Sequence, residues 1–343
     1  MSEQILKVNN LNKDFKVKST KLFQRMSSVQ ILKDISFELM KGETLSIVGE
    51  SGSGKTTLGR CILNGIDVTS GEVIYHTKEG RDVDYLNLTK KEYQKYRKDM
   101  QMIFQDPYSS LNPRMTVYDI ISEPLITNFN VKKKEVDERV ADIAEKVGIN
   151  PNLLKRYPHA FSGGQRQRIA IARALITHPR VIVCDEAVSA LDASIQAQII
   201  NLLITLQKDL GITNMFISHD LSVVQTISDR VAVMHLGRIV ELASVESIFD
   251  TPKHPYTEAL LSAVPRPDPN VIRERIVLEG EVPNPARPPK GCEFHPRCPY
   301  STEKCKIETP ELQPVDRDKK HYSACHYAKE LTLKGVDYGA TVQ

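Results

Sequence analysis

The densest chemistry in this sequence lies in residues 49–57, Gly-Glu-Ser-Gly-Ser-Gly-Lys-Thr-Thr. Gly49, Gly54, Lys55 and Thr56 occupy the fixed positions of the phosphate-loop pattern G-x-x-x-x-G-K-[ST]. The apolar run 45–48 before it reads as a buried strand, and 57–63 after it as a helix. A strand, a glycine-rich loop and a helix N-terminus turn unpaired N–H groups and a positive dipole end toward an anion. Gly49, Gly52 and Gly54 let the backbone approach phosphate oxygens closely. Lys55 reaches the outer phosphates and the Thr56 hydroxyl is a candidate Mg²⁺ ligand, with Ser51, Ser53 and Thr57 as further contacts in the same loop.

Three other stretches carry functional groups. The apolar run 181–184 ends in Asp185 and Glu186. Adjacent carboxylates at the end of a buried strand call for a cation; Asp185 would hold Mg²⁺ through water and Glu186 would orient or deprotonate an attacking water. Ser162-Gly163-Gly164-Gln165 opens a helix at 169–176 and reads either as an ordinary N-cap or as a second anion site. Gln105 closes the strand-like run 102–105, and His219 follows the strand-like run 214–217.

The elements that must position these groups follow from periodicity. Residues 4–14 read as an edge strand, 16–29 as an exposed basic insertion, and 31–39 as a half-buried strand by alternation. Strand signals recur at 71–75, and 90–98 is a charged helical stretch. Residues 106–113 are a loop by their Pro, Ser and Asn content. From 116 to 178 the pattern is helical, which predicts a helical subdomain at about 106–178 within an α/β core. A helix at 194–209 and a hairpin of 231–234 with 238–240 around Gly237 complete the core. Prolines crowd in beyond 250, so a boundary is placed near Pro252, dividing the chain into 1–252 and 253–343.

With 343 residues, 41% hydrophobic, the chain builds a substantial core. The formal charge of +3 argues against a dedicated nucleic-acid binder, so no nucleic-acid partner is expected. Nothing approaches the ~18 uninterrupted apolar residues of a membrane span, and the N-terminus has no signal-peptide pattern, so a cytosolic location is expected.

The order of residues 49–57, Gln105, 162–165, 185–186, 189–192 and His219 resembles the ATP-binding cassette (ABC) family over roughly residues 4–250. Ser162-Gly163-Gly164-Gln165 is the stretch that separates this family from other phosphate-loop proteins. Phe161 and Ala187 depart from the commoner Leu and Pro, and neither change removes a functional group. The resemblance implies a P-loop NTPase cassette: a RecA-like α/β core with an antiparallel β subdomain and a helical subdomain. It implies ATP and Mg²⁺ as ligands, with Glu186 and Lys55 catalytic. Gln105 would contact Mg²⁺ or the water, and His219 the γ-phosphate. Phe15 would stack on adenine, although an aromatic that merely packs a turn is the simpler alternative. Ser162, Gly163, Gly164 and Gln165 would act on ATP held by an opposite cassette, so a dimer or heterodimer is implied.

Residues 105–113 and 254–265 resemble the peptide/nickel importer branch, and 16–29 with 185–192 resemble the F-type cassette of oligopeptide or dipeptide permeases. The implied partners are a second, D-type cassette, two membrane permeases and an external solute-binding protein. The implied location is the cytoplasmic face of a bacterial-type membrane, and the implied cargo is peptide, with nickel or another small solute as alternative. The tail is chemically distinct. Cys292, Cys298, Cys305 and Cys325 are spaced x5, x6 and x19, with no C-x2-C pair. A reducing compartment makes disulfides an unfavoured reading. Four thiolates suit a [4Fe–4S] cluster or Zn²⁺; unliganded thiols remain open, and His295, His321 and His326 are weaker substitute ligands.

Overall fold

The computed structural model describes residues 3–17, 27–264, 276–278, 280, 283–316 and 320–336. In chain order the elements are β1 (Gln4–Val17), β2 (Ser27–Met40), β3 (Thr44–Val48), α1 (Lys55–Ile62), β4 (Ser70–His76), β5 (Asp82–Asp84), α2 (Lys90–Tyr96), β6 (Met100–Ile103), α3 (Pro107–Ser110), α4 (Val117–Asn128), α5 (Lys133–Lys146) and α6 (Gly163–Leu175). They continue as β7 (Val181–Asp185), α7 (Ala193–Leu210), β8 (Thr213–Ser218), α8 (Leu221–Ile227), β9 (Arg230–His235), β10 (Arg238–Ser244), α9 (Val245–Asp250), α10 (Pro255–Ser262), α11 (Glu303–Ile307), β11 (Gln313–Asp316) and β12 (His321–Ser323).

Two sheets organise the described residues. The larger runs β11-β12-β10-β9-β3-β8-β7-β6. Its centre is parallel, β3 pairing with β8 and β9, and β7 with β8 and β6. Every residue of β3, β7 and β8 is buried, which is why these strands are continuous apolar runs rather than alternating ones. The smaller sheet runs β2-β1-β4-β5 and is antiparallel. β1 is therefore an inner strand, not the edge that its sequence predicted; β2 and β4 flank it, and β5 is an edge. Pairing of β1 with β2 continues out to Val17 and Ser27, so the exposed insertion expected at 16–29 is narrower, and 18–26 lies outside the described residues.

The helical stretch contains α4, α5 and α6, whose apolar faces share one core with α7 and with Ile103, Ile182 and Cys184 of the large sheet. Thr116 caps α4 and Ser162 caps α6, each through a reciprocal capping box. The loop expected at 106–113 holds a one-turn helix instead. Asp106 caps it and Pro107 sits at its first position, where a missing N–H costs nothing.

The tail does not leave the cassette at Pro252. β12 pairs with β10 and so extends the large sheet, and β11 pairs with β12. Phe294 is buried in one cluster with Val231, Val233, Phe249 and Tyr256. Glu241, fully buried on β10, accepts from the backbone N–H groups of Lys253 and His254 and pairs with His321 Nε2 at 2.6 Å. Proline content marked a change of composition; long-range pairing carries the chain back onto the same sheet.

Two histidines sit in this seam. Burial pushes His235 down to about 4, and burial plus the charge of His235 pushes His254 down to about 3, against an ordinary 6.5. Folding keeps both rings neutral, whereas the unfolded chain protonates them below about 6.5. The unfolded state then binds more protons, so stability is expected to fall as pH drops from about 6.5 toward 4. Urea unfolding across that window should show the slope, and His235→Gln should flatten it; an unchanged slope in the variant would remove His235 from the seam's acid sensitivity.

Candidate nucleotide site

The loop between β3 and α1 is held by close backbone packing. Gly49 has φ 154°, and a Cβ there would lie 2.2 Å from the Met234 carbonyl oxygen. Gly54, at φ 103°, is the N-cap of α1 and supplies no side-chain cap, so the first N–H groups of α1 are left for another acceptor. Ser53 Oγ, in the same loop, is buried with no hydrogen-bond partner among the described residues. Lys55 is 5% exposed and donates to the carbonyls of Gly49 at 2.8 Å and Glu50 at 3.1 Å. Burial lowers its pKa, while the nearby Glu186, Asp185 and Glu50 carboxylates raise it in part. Ser51 and Gly52 are exposed, and Thr57 is half-buried.

Thr56 Oγ1 donates to Asp185 Oδ1 at 2.8 Å, so the loop and the end of β7 meet. Burial pushes the Asp185 carboxyl up, against the hydrogen bond from Thr56. A hydroxyl and a carboxylate in contact beside an anion loop are hard oxygen donors of the kind Mg²⁺ takes. The orphaned Ser53 Oγ and the unsatisfied N–H groups of α1 fit phosphate oxygens.

Glu186 follows β7 with φ 46°, a conformation rare for a residue with a Cβ and concentrated at functional sites. Its N–H donates to the Ile217 carbonyl at 3.0 Å, which ties the turn to β8. Gln105 Nε2 donates to Glu186 Oε2 at 2.8 Å, and His219 Nδ1 lies 3.4 Å from the same oxygen. Two residues from separate strand ends, Gln105 and His219, therefore converge on the Glu186 carboxylate at a third.

Ser162 and Gln165 satisfy each other: Ser162 Oγ accepts from the Gln165 N–H at 3.4 Å, and Gln165 Oε1 accepts from the Ser162 N–H at 3.0 Å. Gly164 has a packing reason, since a Cβ there would meet Ile195 Cγ2 at 2.4 Å, whereas Gly163 has room. Among the described residues no hydrogen bond joins 162–165 to the phosphate loop. Tyr108 lies in the 105–113 stretch, and what the sequence did not reveal is its contact: the Arg166 guanidinium carbon lies 4.1 Å from its ring centre, which seats residues 107–110 on α6. Phe15 is 41% exposed near the end of β1, with Lys13 Nζ 4.8 Å from its ring centre.

The site is matched by known proteins. The family model "ABC transporter" covers residues 32–189, and "Oligopeptide/dipeptide transporter, C-terminal region" covers 240–305. The oligopeptide transport ATP-binding protein AppF of Bacillus subtilis is 49% identical over 94% of this chain and 97% of its own length. The chain belongs to the ABC transporter family. The dipeptide transport ATP-binding protein DppF of Haemophilus influenzae is 50% identical over 90% of this chain and 93% of its own. Among solved structures, cbiO1 of Clostridium perfringens, part of the ABC transporter complex cbiONQ, matches at TM-score 0.61 and 30% identity over 72% of this chain and 91% of its own. The ABC cassette MJ0796, solved as a dimer in a post-hydrolysis state with ADP and Pi, matches at TM-score 0.61 and 27% identity over 70% of this chain and 99% of its own.

A cavity of about 780 Å³ lies away from this site, between β1, β2, β10 and the tail. A much smaller one is lined by Cys292, Cys298, Cys305 and Cys325, with His295 and His326 at its wall. The four thiols of the ABC chain's tail thus face one space, although x19 separates the last two. Burial pushes Cys298 up to about 12 and Cys325 to about 11, so as free groups they are neutral thiols. Among the described residues no three His, Cys, Asp or Glu side chains stand in ligating geometry. His321 is not a substitute ligand here, because it is buried against Glu241. His326 Nε2 and His295 Nδ1 each contact a backbone carbonyl, of Glu308 and Cys292.

The role of general base expected for Glu186 would serve turnover rather than binding, and this can be tested. Glu186→Gln can keep a contact with Gln105 but removes the expected base. ATP turnover in the assembled complex is expected to fall by ~10²–10⁴ while ATP binding persists; steady-state phosphate release set against equilibrium ATP binding checks both.

Proposed function

We propose that this chain is the ATP-hydrolysing subunit of an importer of oligopeptides or dipeptides, docked on the cytoplasmic face of a membrane. The observation that carries this reading is the joint match of a cassette and an oligopeptide/dipeptide-type C-terminal region on one chain, with peptide-transport relatives spanning nearly its full length. The nickel alternative draws no support from those relatives. No helix among the described residues is long and apolar enough to cross a membrane, so translocation is assigned to partners. The partners proposed are a second, D-type cassette, two permeases and an external solute-binding protein, and residues 107–113 are the proposed grip on the permeases.

In this reading Lys55 turns from the Gly49 and Glu50 carbonyls to the outer phosphates. Thr56 and Asp185 hold Mg²⁺, which shields phosphate charge when bound. Glu186 takes a proton from the attacking water, with Gln105 and His219 fixing its carboxylate. Phe15 offers its open face to the adenine. Ser162, Gly163, Gly164 and Gln165 close on the nucleotide of the opposing cassette. The MJ0796 dimer supports such an arrangement, since a cassette of this fold was solved paired with hydrolysis products.

The four tail cysteines are proposed to hold a [4Fe–4S] cluster, with Zn²⁺ as alternative, and to clasp the tail structurally. The support is a set of four thiols around one cavity. A metal would have to drive their deprotonation, because burial alone keeps Cys298 and Cys325 protonated.

Two experiments test these readings. The chain co-purified with its permeases and reconstituted in liposomes is expected to drive ATP-dependent uptake of short peptides; uptake of nickel but not peptide would replace the cargo. Chain purified without oxygen is expected to be brown and to carry iron and sulfide, and colourless zinc-loaded protein would transfer the site to Zn²⁺.

A further inference from the structure

The C-terminal extension reaches into the phosphate loop itself. Arg297 ends the short 3-10 turn His295–Arg297, just before Cys298. Its Nη1 and Nη2 donate to Glu50 Oε2 and Oε1 at 2.8 and 2.9 Å, a bidentate pair that fixes the carboxylate plane. Glu50 is the residue directly after Gly49. Its backbone N–H donates to the Tyr256 hydroxyl at 2.9 Å, and its carbonyl accepts from Lys55 Nζ at 3.1 Å. All three polar parts of Glu50 are thus held, two of them by residues beyond 250.

The holders are themselves fixed. The Arg297 side chain is 7% exposed and Tyr256 is fully buried. The Tyr256 ring lies 4.4 Å from His235 and 5.4 Å from Phe294, centre to centre. Burial would raise the Glu50 carboxyl, but the hydrogen bonds and charge of Arg297 outweigh it and keep the group below its usual range. A pair that served only to fasten the tail could sit anywhere along the seam, as Lys33 with Glu293 does at 2.6 Å. This one grips the peptide whose carbonyl parks the phosphate-binding lysine.

A loop with glycines at positions 49, 52 and 54, all at positive φ, has much freedom to lose when ATP orders it. An anchor that removes this freedom in advance favours binding. We propose that Arg297, supported by Tyr256, is a positioning residue for the nucleotide site: it presets the phosphate loop through Glu50, so that the C-terminal extension sets how tightly the cassette holds ATP. This rests on the assignment of residues 49–57 to ATP.

The test is ATP binding to the full-length chain, titrated with a fluorescent ATP analogue, together with steady-state kinetics of the assembled transporter. Arg297→Ala is expected to weaken ATP binding and raise the KM for ATP by about 10-fold, the weight of one charge-assisted pair, with kcat held within a factor of about two. Arg297→Lys keeps the charge but not the fork and should recover only part of the loss. Glu50→Gln should lose a similar amount, and the double variant with Arg297→Ala should be no worse than the worse single one. If Arg297→Ala does not fold, Glu50→Gln, which leaves the tail's own residues intact, reads the same Kd. A lowered Tm with an unchanged ATP Kd would reduce the pair to a fastening of the tail, and additive losses would break the link between the two residues. Failure of the wild-type chain to bind ATP would instead overturn the site assignment on which the proposal rests.

Discussion

The structure depends on how tightly the backbone of the phosphate loop is packed against its neighbours. The hairpin turn at Gly237 is the wedge. Its N–H donates to the Ser53 carbonyl at 2.9 Å, and its carbonyl accepts from the Lys33 N–H at 2.9 Å. A Cβ on Gly237 would lie 2.2 Å from the Ile31 carbonyl oxygen, and one on Gly49 would lie as close to that of Met234. The small sheet, the hairpin and the loop therefore lock through main chain, with glycine required at each near approach. That contact fixes where the loop faces, and hence where Lys55 and Thr56 meet Asp185.

The second constraint is electrostatic. The seam between tail and cassette matches charges in two ion pairs, Lys33 with Glu293 and Arg297 with Glu50, and holds Glu241 by a hydrogen bond with His321. Removing a charged group from water is costly, and each pair is tolerable only because its partner and added hydrogen bonds are in place. Glu241 illustrates this, with two backbone N–H donors besides His321. Such pairs specify one docking of the tail, since a slip by one residue would strand a buried charge. The extension is thus part of the cassette's own architecture, although its composition differs.

Much of the nucleotide site was legible in the sequence because each part is local. A strand, a glycine turn and a helix start lie within one stretch around Lys55, and two acids close an apolar run at Asp185 and Glu186. The capping box at Ser162 and Gln165 is likewise a four-residue pattern. The inner place of β1 was not legible, because alternation reports which face is buried and not how many neighbours a strand has. The one-turn helix at Pro107–Ser110 was obscured by proline and serine, residues that serve loops and helix starts alike.

The sequence by itself determined the phosphate loop, the paired acids, the motif between them and the four tail thiols, since the spacing of residue types within a few turns dictates that chemistry. Only the tertiary structure decided that Gln105 and His219 meet at the Glu186 carboxylate, that the four thiols border one cavity, and that Arg297 reaches Glu50 across 247 positions. Those contacts are made by strand order and by the return of the tail onto β10. Pairing between distant segments is set by which surfaces bury best together, and no local pattern records it.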